Sequence, residues 1–474
     1  MSDSRVSPVQ PRVRGGADGL RLGFVINLAG RGAVMVSSAA VSLLLARHYG
    51  AATFGRWSVA AATATMVGTL LDGGFHRLLM RDVGRAPEAA RGIVLTIVKR
   101  RLQIAAVAVP VALIAAAVAT RNLRTWVLIA LLVGARMVWD VVGTFSSSLL
   151  AFDYFRLPNL VETLRRILLF ALVGAIVLVG APIEWAGIAT LGVCLLGSGA
   201  IIRPALRLVA DKRAAPPDSH WRDAAWFWFN GVLFWINAEI DQLMLASLGN
   251  NYQAGIYAAA VRLIMLCLVV PRAVNDTVVR RWFRAGHKPD SQMAATTLLL
   301  VVTGGLIGGQ FVLFPREIIS LVFSTRYLDS IPCFAVLGWF LIFHFVRCAP
   351  SWFIATSDRV PLSTAYMAVA AVCNFTANLW LIPRFGALGA SYSTAACELL
   401  LLVLAWGTTG RNAPKLALAA ALGALPPLVA AAVAYALRSH VPWYLASATG
   451  LIAAGSLVAM AIRSEAARRW QASH

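Results

Sequence analysis

Charged residues are scarce in this chain of 474 residues, and acidic residues are the scarcest of them. Asp, Glu, Lys and Arg make up 13% of the sequence, with 21 acidic against 42 basic side chains. Soluble globular proteins carry about 25% charged residues. The composition therefore excludes an ordinary soluble domain of this length and indicates that most of the surface faces lipid.

The sequence also lacks the motifs of common enzymes. It contains no GxxxxGK[ST] phosphate loop, no GxSxG turn and no HExxH pair, and its seven histidines are scattered. The six cysteines form no CxxC pair and fall within or beside apolar stretches, which favours buried thiols over disulfides or metal ligands. We expect a protein that is not an enzyme and has no cofactor or metal.

Long apolar stretches are abundant instead. Hydrophobic residues make up 59% of the chain and the mean hydropathy is +0.73. Stretches of about 20 apolar residues can cross a bilayer as helices, so we predict an all-α polytopic membrane protein with about 14 transmembrane helices. The predicted spans are 23–45, 57–74, 102–120, 125–149, 158–180, 185–205, 224–247, 254–275, 292–315, 331–356, 361–382, 387–408, 414–437 and 441–462.

Lys and Arg predict the orientation, because cytoplasmic loops are enriched in both. With a cytoplasmic N-terminus, 30 of the 42 basic residues fall on the cytoplasmic side, eight on the other side and four within spans. The cytoplasmic count includes Arg156, Arg165 and Arg166 near the start of the fifth span. The net charge of +21 is then spread over loops that face anionic lipid, which argues against a nucleic-acid partner.

A repeat divides the chain. Residues 43–60, LLLARHYGAATFGRWSVA, align without a gap with residues 243–260, LMLASLGNNYQAGIYAAA, at an offset of 200. Two later pairs of landmarks have offsets of 203 and 202: Pro158 with Pro361, and Gly187 with Gly389. We therefore predict two parallel six-helix repeats, related by an axis along the membrane normal, and two additional C-terminal helices.

These predictions divide the chain into five parts. They are a cytoplasmic basic tail (1–22), a first six-helix bundle (23–207), a cytoplasmic linker (208–223), a second six-helix bundle (224–410), and two extra helices with a cytoplasmic tail (411–474). Aromatic residues at 221 and 226–229 begin the seventh span, and we assign them to anchoring at the membrane interface.

Charged residues within the spans are the candidate functional groups, because an ionised side chain in the membrane is costly and usually faces a cavity. The candidate cavity residues are Arg31, Arg136, Asp140, Asp241, Arg262 and Arg347.

A structural role remains open for each of these residues. Arg136 and Asp140 lie four apart on one helix and can pair with each other. Asp241 and Arg262 are plausible partners between helices. Arg31 could bond neighbouring helices, and Arg347 with His344 could form a satisfied helix end.

Several segments together resemble a known family. They are the basic tail, LLLARHYGAATFGRWSVAAATATMVGTLLDGGFHRLLMRD, AEIDQLMLASLGNNYQAGIYAAAVRLI and GALGASYSTA. From about Gly19 to Arg463 the chain resembles the polysaccharide-biosynthesis flippases of the multidrug/oligosaccharidyl-lipid/polysaccharide exporter superfamily. The resemblance implies two bundles around a central cavity. It also implies movement of a polyprenyl-pyrophosphate-linked oligosaccharide from the inner to the outer leaflet of a bacterial plasma membrane.

The same resemblance implies site residues and partners. Related lipid II flippases place functional arginines on helices 1 and 8, where this chain has Arg31 and Arg262. The expected partners are the lipid-linked oligosaccharide and membrane lipids, with glycan polymerases and glycosyltransferases as further candidates.

Two alternative functions remain open. An ion-coupled small-molecule or drug exporter of the same superfamily would use a carboxylate on helix 1, but no Asp or Glu occurs between Asp18 and Asp72. A membrane scaffold for glycan synthesis would tolerate replacement of all four arginines within the spans.

Overall fold

A computed structural model describes residues 17–120, 122–152, 154–210, 212, 214, 221–284, 290–356, 360–410 and 413–472. Every regular element in these ranges is helical. The α-helices are α1 (Ala17–Asp72), α2 (Phe75–Arg85), α3 (Ala90–Thr120), α4 (Leu123–Ala151), α5 (Arg156–Leu178), α6 (Glu184–Val209), α7 (Trp221–Leu248), α8 (Asn251–Cys267), α9 (Val269–Arg284), α10 (Asp290–Leu313), α11 (Pro315–Phe323), α12 (Ile331–Thr356), α13 (Val360–Gly407), α14 (Ala413–Leu437) and α15 (Trp443–Ala472).

Two of the helices contain a sharp turn at a glycine. α1 turns at Gly50, with φ 74° and ψ 174°, and α13 turns at Gly386, with φ 57° and ψ −132°. Positive φ angles of this kind favour glycine, which has no Cβ. Each of these helices therefore supplies two membrane-crossing limbs.

The helices account for all the predicted spans. With α8 and α9 taken as one crossing, the described helices and limbs provide fourteen segments, one for each predicted span. Eight helical stretches in the described ranges are long and apolar enough to cross a membrane by length and composition alone. The prediction of an all-α membrane protein with about 14 spans is confirmed.

The crossings alternate in direction and define two ends of the molecule. We call the end with Gly50 and Gly386 the outer end, and the end with α2 the inner end. The charge distribution predicts that the inner end faces the cytoplasm. α2 lies at this end with Leu78, Leu79 and Val83 buried against the first bundle.

The helices pack into two groups that meet along α1. The helices α3, α4 and α5 pack against α1, and α6 packs against α4 and α5. The helices α7, α8, α10, α12 and α13 pack with one another. α14 packs on α10, and α15 packs on α14. The two groups meet where α1 contacts α7 and α8. All six cysteines are free thiols, and four of them are buried, as expected.

Two glycines allow the groups to touch backbone to backbone near the outer end. A Cβ at Gly55 would overlap the carbonyl oxygen of Asn251, and a Cβ at Gly255 would overlap that of Ala51. Residues 51 and 55 correspond to 251 and 255 at the repeat offset of 200, so the same contact occurs in both directions. Reciprocal contacts of this kind arise across a two-fold axis. They support the predicted relation between the halves, which stays a prediction for the remainder of the chain.

Hydrogen bonds close the outer end around this contact. The Tyr327 hydroxyl donates to the carbonyl oxygen of Ala46 at 3.0 Å, and Tyr327 is fully buried. Arg47 donates to the carbonyl oxygen of Leu321 at 2.5 Å. These bonds join the part of α1 near the Gly50 turn to α11 and to the segment between α11 and α12.

The glycine contact can be tested with Gly55→Ala. The added Cβ overlaps a backbone oxygen, so the helices must separate. We expect a loss of about 1–3 kcal/mol in stability and a lower melting temperature in detergent. Gly84→Ala is the matched control, because a Cβ at Gly84 has no atom within 4 Å. Equal melting temperatures for the two variants would contradict the contact.

Candidate functional site

A cavity of about 260 Å³ lies in the first bundle, at its boundary with α8. Its wall combines residues of α1, α4, α5 and α6 with one residue of α8. Four arginines line it: Arg136, Arg165, Arg166 and Arg262. Hydroxyl groups and two indole rings complete the polar part of the wall: Ser37, Ser38, Ser42, Thr190, Trp57 and Trp139. No Asp or Glu is among the described residues that line this cavity.

Arg136 of α4 is held beside the cavity by its own helix and by α1. Its Nε donates to Asp140 Oδ2 at 2.9 Å, so the two residues make the pairing that their spacing allows. α1 passes close to this pair at Gly68, where a Cβ would overlap Arg136 Nε. The Arg136 side chain is still 40% exposed. Since a guanidinium has five N–H donors, donors remain for a ligand.

α5 contributes two arginines that share one carboxylate. Glu162 accepts hydrogen bonds from Arg165 Nε at 2.9 Å and Nη2 at 2.8 Å, and from Arg166 Nε at 2.8 Å. Arg166 Nη1 also donates to Ser38 Oγ of α1 at 2.6 Å. The Arg165 guanidinium lies over the Trp139 ring at 4.2 Å. The group is rigidly held and keeps one excess positive charge.

Arg165 and Arg166 were counted with the cytoplasmic residues and not among the candidate cavity residues, yet the structure places both in the cavity wall. α5 begins at Arg156, so at 1.5 Å per residue both arginines lie about 14 Å along the helix. The missed signal was the spacing of Glu162, Arg165 and Arg166, because residues three and four apart share a helix face.

Arg262 reaches the cavity from the second group of helices. It lies on α8, and Glu239 of α7 lies within electrostatic range of it. In the part of the chain that the structure describes, Arg262 makes no hydrogen bond or ion pair at contact distance. Arg31 lies on α1, but its side chain is outside the described residues.

Asp241 does not pair with Arg262, and that prediction was wrong. Its carboxylate accepts hydrogen bonds from Thr394 Oγ1 at 2.5 Å, Asn378 Nδ2 at 2.5 Å and the Tyr257 hydroxyl at 2.7 Å. Tyr257 and Arg262 lie five residues apart on α8, so they project in different directions. Asp241 is 1% exposed and lies outside the cavity.

No described group of three or more His, Cys, Asp or Glu side chains could hold a metal ion. Asp241, Asn378 and Thr394 bring oxygen atoms together, and oxygen atoms are the ligands that hard cations prefer. The pocket of three donors satisfies the carboxylate without such an ion.

Arg347 also lies outside the cavity, between α12 and α13. Its Nε donates to Glu398 Oε1 at 2.5 Å, and His344 Nδ1 lies 3.0 Å from the same oxygen. Arg347 Nη1 donates to Ser351 at 3.1 Å. The structure therefore places Arg347 in a buried ion pair. Sequence reasoning missed Glu398, whose only signal was a carboxylate within the twelfth predicted span.

Comparison with known proteins gives one family and a shared fold. The family described as polysaccharide biosynthesis protein matches residues 21–279. The structure of the lipid II flippase MurJ in an inward closed conformation is similar over 94% of this chain and 99% of that chain, with a TM-score of 0.72 and 11% identity. An inward-facing multidrug resistance MATE family transporter of the MOP superfamily is similar over 86% of this chain and 96% of that chain, with a TM-score of 0.61 and 14% identity.

One curated relative matches a short segment. The uncharacterized membrane protein MJ1068 of Methanocaldococcus jannaschii is 30% identical over 81 residues, which span 17% of this chain and 16% of that protein. The structural similarities at 11% and 14% identity show a shared fold. Together with the long apolar helices of the described ranges, this fold indicates a multi-pass membrane protein.

The buried ion pair provides a test of the role of Arg347. Glu398→Leu alone leaves Arg347 and His344 buried without their carboxylate, which should cost about 3–5 kcal/mol. The double variant Arg347→Met/Glu398→Leu removes both main charges and should regain most of the melting temperature in detergent. A double variant as unstable as the single one would contradict a mainly structural role.

Proposed function

Because this chain belongs to the polysaccharide biosynthesis protein family, we propose that it moves a polyprenyl-pyrophosphate-linked oligosaccharide from the inner to the outer leaflet. The observation that carries the proposal is the cavity with four arginines and no described acidic lining residue. The carboxylates that hold these arginines, Asp140 and Glu162, offset only part of their charge. The cavity is therefore suited to an anionic head group.

The positive charge of the cavity would lower the cost of moving a pyrophosphate across the membrane. A pyrophosphate is an anion, and an unpaired anion in hydrocarbon carries a large desolvation cost. Guanidinium groups bind phosphate oxygens through paired N–H donors. Arg262, Arg166 and the exposed part of Arg136 would bind the pyrophosphate, while the lipid tail stays in the bilayer.

The remaining cavity wall suits the sugar that follows the pyrophosphate. Ser42 and Thr190 offer hydroxyl groups for hydrogen bonds. Trp57 offers an apolar ring surface with a polar N–H, which suits the mixed character of a sugar ring.

Rocking of the two halves would carry the head group across the membrane. In this mechanism residues 23–207 and 224–410 are the parallel repeats, and they move about the reciprocal contact of Gly55 and Gly255. Opening toward the outer leaflet requires breaking the bonds of Arg47 and Tyr327. Both termini would lie in the cytoplasm of a bacterial cell. Glycosyltransferases would supply the substrate on the cytoplasmic side, and a polymerase would consume it on the outer side.

Export of a small molecule coupled to an ion is the second candidate function. The fold shared with a MATE family transporter and the buried Asp241 favour it. An exporter of cationic drugs, however, would need acids in the cavity, and the described lining residues include none. The cavity charge therefore favours an anionic substrate.

Flipping of a fluorescent lipid-linked oligosaccharide in proteoliposomes tests the proposal. Arg166→Gln and Arg262→Gln should each slow flipping about tenfold or more, since a hydrogen bond to a charged group contributes roughly 1.5–3 kcal/mol. We expect Arg31→Gln to slow flipping as well. The matched control is Arg384→Gln, because Arg384 is exposed at the outer end and bonds the Trp380 carbonyl. Unchanged flipping in the Arg166 and Arg262 variants would contradict the proposal.

A further inference from the structure

A second concave surface of about 720 Å³ lies near the inner end, separate from the arginine cavity. We call it the α3 groove. It is lined by Leu70 of α1, Gly73 of the turn between α1 and α2, Phe75 of α2, α3 from Arg100 to Val111, and Trp228 of α7. Val107 and Val111 are 67% and 60% exposed. The groove is therefore open to the lipid that surrounds the protein.

The α3 groove combines a long apolar surface with a basic end. Arg100 and Gln103 lie at the inner end of the groove, with Arg100 Nη1 3.5 Å from Gln103 Oε1, and Lys99 is exposed beside them. The wall from Ile104 to Val111 is apolar. A basic end at the membrane interface and an apolar wall beyond it are complementary to a lipid that has an anionic head group and an acyl chain.

The length of the groove matches one leaflet. From Arg100 to Val111, α3 rises about 16 Å at 1.5 Å per residue. The hydrocarbon core of a bilayer is about 30 Å thick, so this distance is about half of it. A phosphate at Arg100 would allow one acyl chain to lie along the groove as far as the middle of the membrane.

The groove and the arginine cavity lie on different faces of α1. Ala64 lines the cavity, and Gly68, one turn later, abuts Arg136. Leu70 lines the groove. Two helix positions, from 68 to 70, turn the side-chain direction by about 200°. A lipid in the groove is thus separated by a helix from a head group in the cavity.

A charged network reinforces this separation. Arg101, next to Arg100 on α3, is 5% exposed and donates to Asp72 Oδ1 at 2.8 Å. It also donates to the carbonyl oxygen of Asp140. Arg101 therefore belongs to the interior of the bundle, and Arg100 belongs to the membrane interface. These two adjacent arginines therefore lie in different surroundings, Arg100 at the membrane interface and Arg101 inside the bundle.

We propose that the α3 groove binds an anionic phospholipid of the inner leaflet, with its phosphate at Arg100 and an acyl chain along Val107 and Val111. This lipid is distinct from the transported molecule, so the site does not depend on the proposed function. Trp228 donates through Nε1 to the carbonyl oxygen of Leu70 at 3.2 Å, which places a residue of the second group of helices in the groove. The bound lipid contacts both groups and stabilises the observed arrangement.

Trp228 provides a direct probe of occupancy. The full-length protein is reconstituted in phosphatidylcholine bilayers with a small fraction of brominated phosphatidylglycerol or brominated phosphatidylcholine. Bromine quenches tryptophan fluorescence at short range, and the Trp228 signal is the difference between the wild type and Trp228→Phe. We expect about a fivefold preference for phosphatidylglycerol, the ratio that one basic residue near the surface gives.

Variants of the basic residue complete the test. Arg100→Gln should abolish the preference and Arg100→Lys should keep it, each with an unchanged melting temperature. Arg207→Gln is the matched control, because Arg207 is exposed at the inner end of α6 and outside the groove, and it should keep the preference. Equal quenching by the two lipids in the wild type, or equal losses in the Arg100→Gln and Arg207→Gln variants, would overturn the proposal. Displacement by a long-chain polyprenyl phosphate but not by unlabelled phosphatidylglycerol would also overturn it and indicate a site for an isoprenoid chain.

Discussion

The cost of an unpaired charge in hydrocarbon governs this structure. In the second group of helices, Glu398 holds Arg347 and His344, and three donors surround Asp241. Such groups have little capacity left for a ligand. The first bundle differs, because Glu162 is shared between two arginines and Arg262 enters from α8. The excess positive charge of these arginines therefore lies in the wall of the cavity.

The two groups of helices are in close backbone contact at the outer end. Gly55 and Gly255 allow α1 and α8 to approach without intervening side chains. The hydrogen bonds of Tyr327 and Arg47 close the same end. An inner-leaflet lipid in the α3 groove would act at the opposite end, so the two ends are held by different interactions.

The arginine cavity and the α3 groove are also distinguished by the surroundings of two adjacent arginines. Arg100 and Arg101 are neighbours in sequence, yet one is exposed at the membrane interface and the other is buried against Asp72. The helix places successive side chains about 100° apart, so two adjacent arginines face different surroundings. The proposed transported lipid and the proposed resident lipid would therefore bind at separate surfaces, the arginine cavity and the α3 groove.

Features that depend on short-range periodicity could be predicted from the order of residues. Apolar stretches predicted the fourteen crossings, and the spacing of Arg136 and Asp140 allowed the pairing that the structure contains. The pairing of helix faces became known only from the folded structure. Arg166 bonds Ser38 across 128 positions, and Asp241 bonds Asn378 across 137 positions. Helical periodicity specifies which residues share a face, but the partner of that face depends on packing among all the helices. For that reason Arg136 and Arg262 meet at the cavity, while Asp241 and Arg347 lie in buried networks elsewhere.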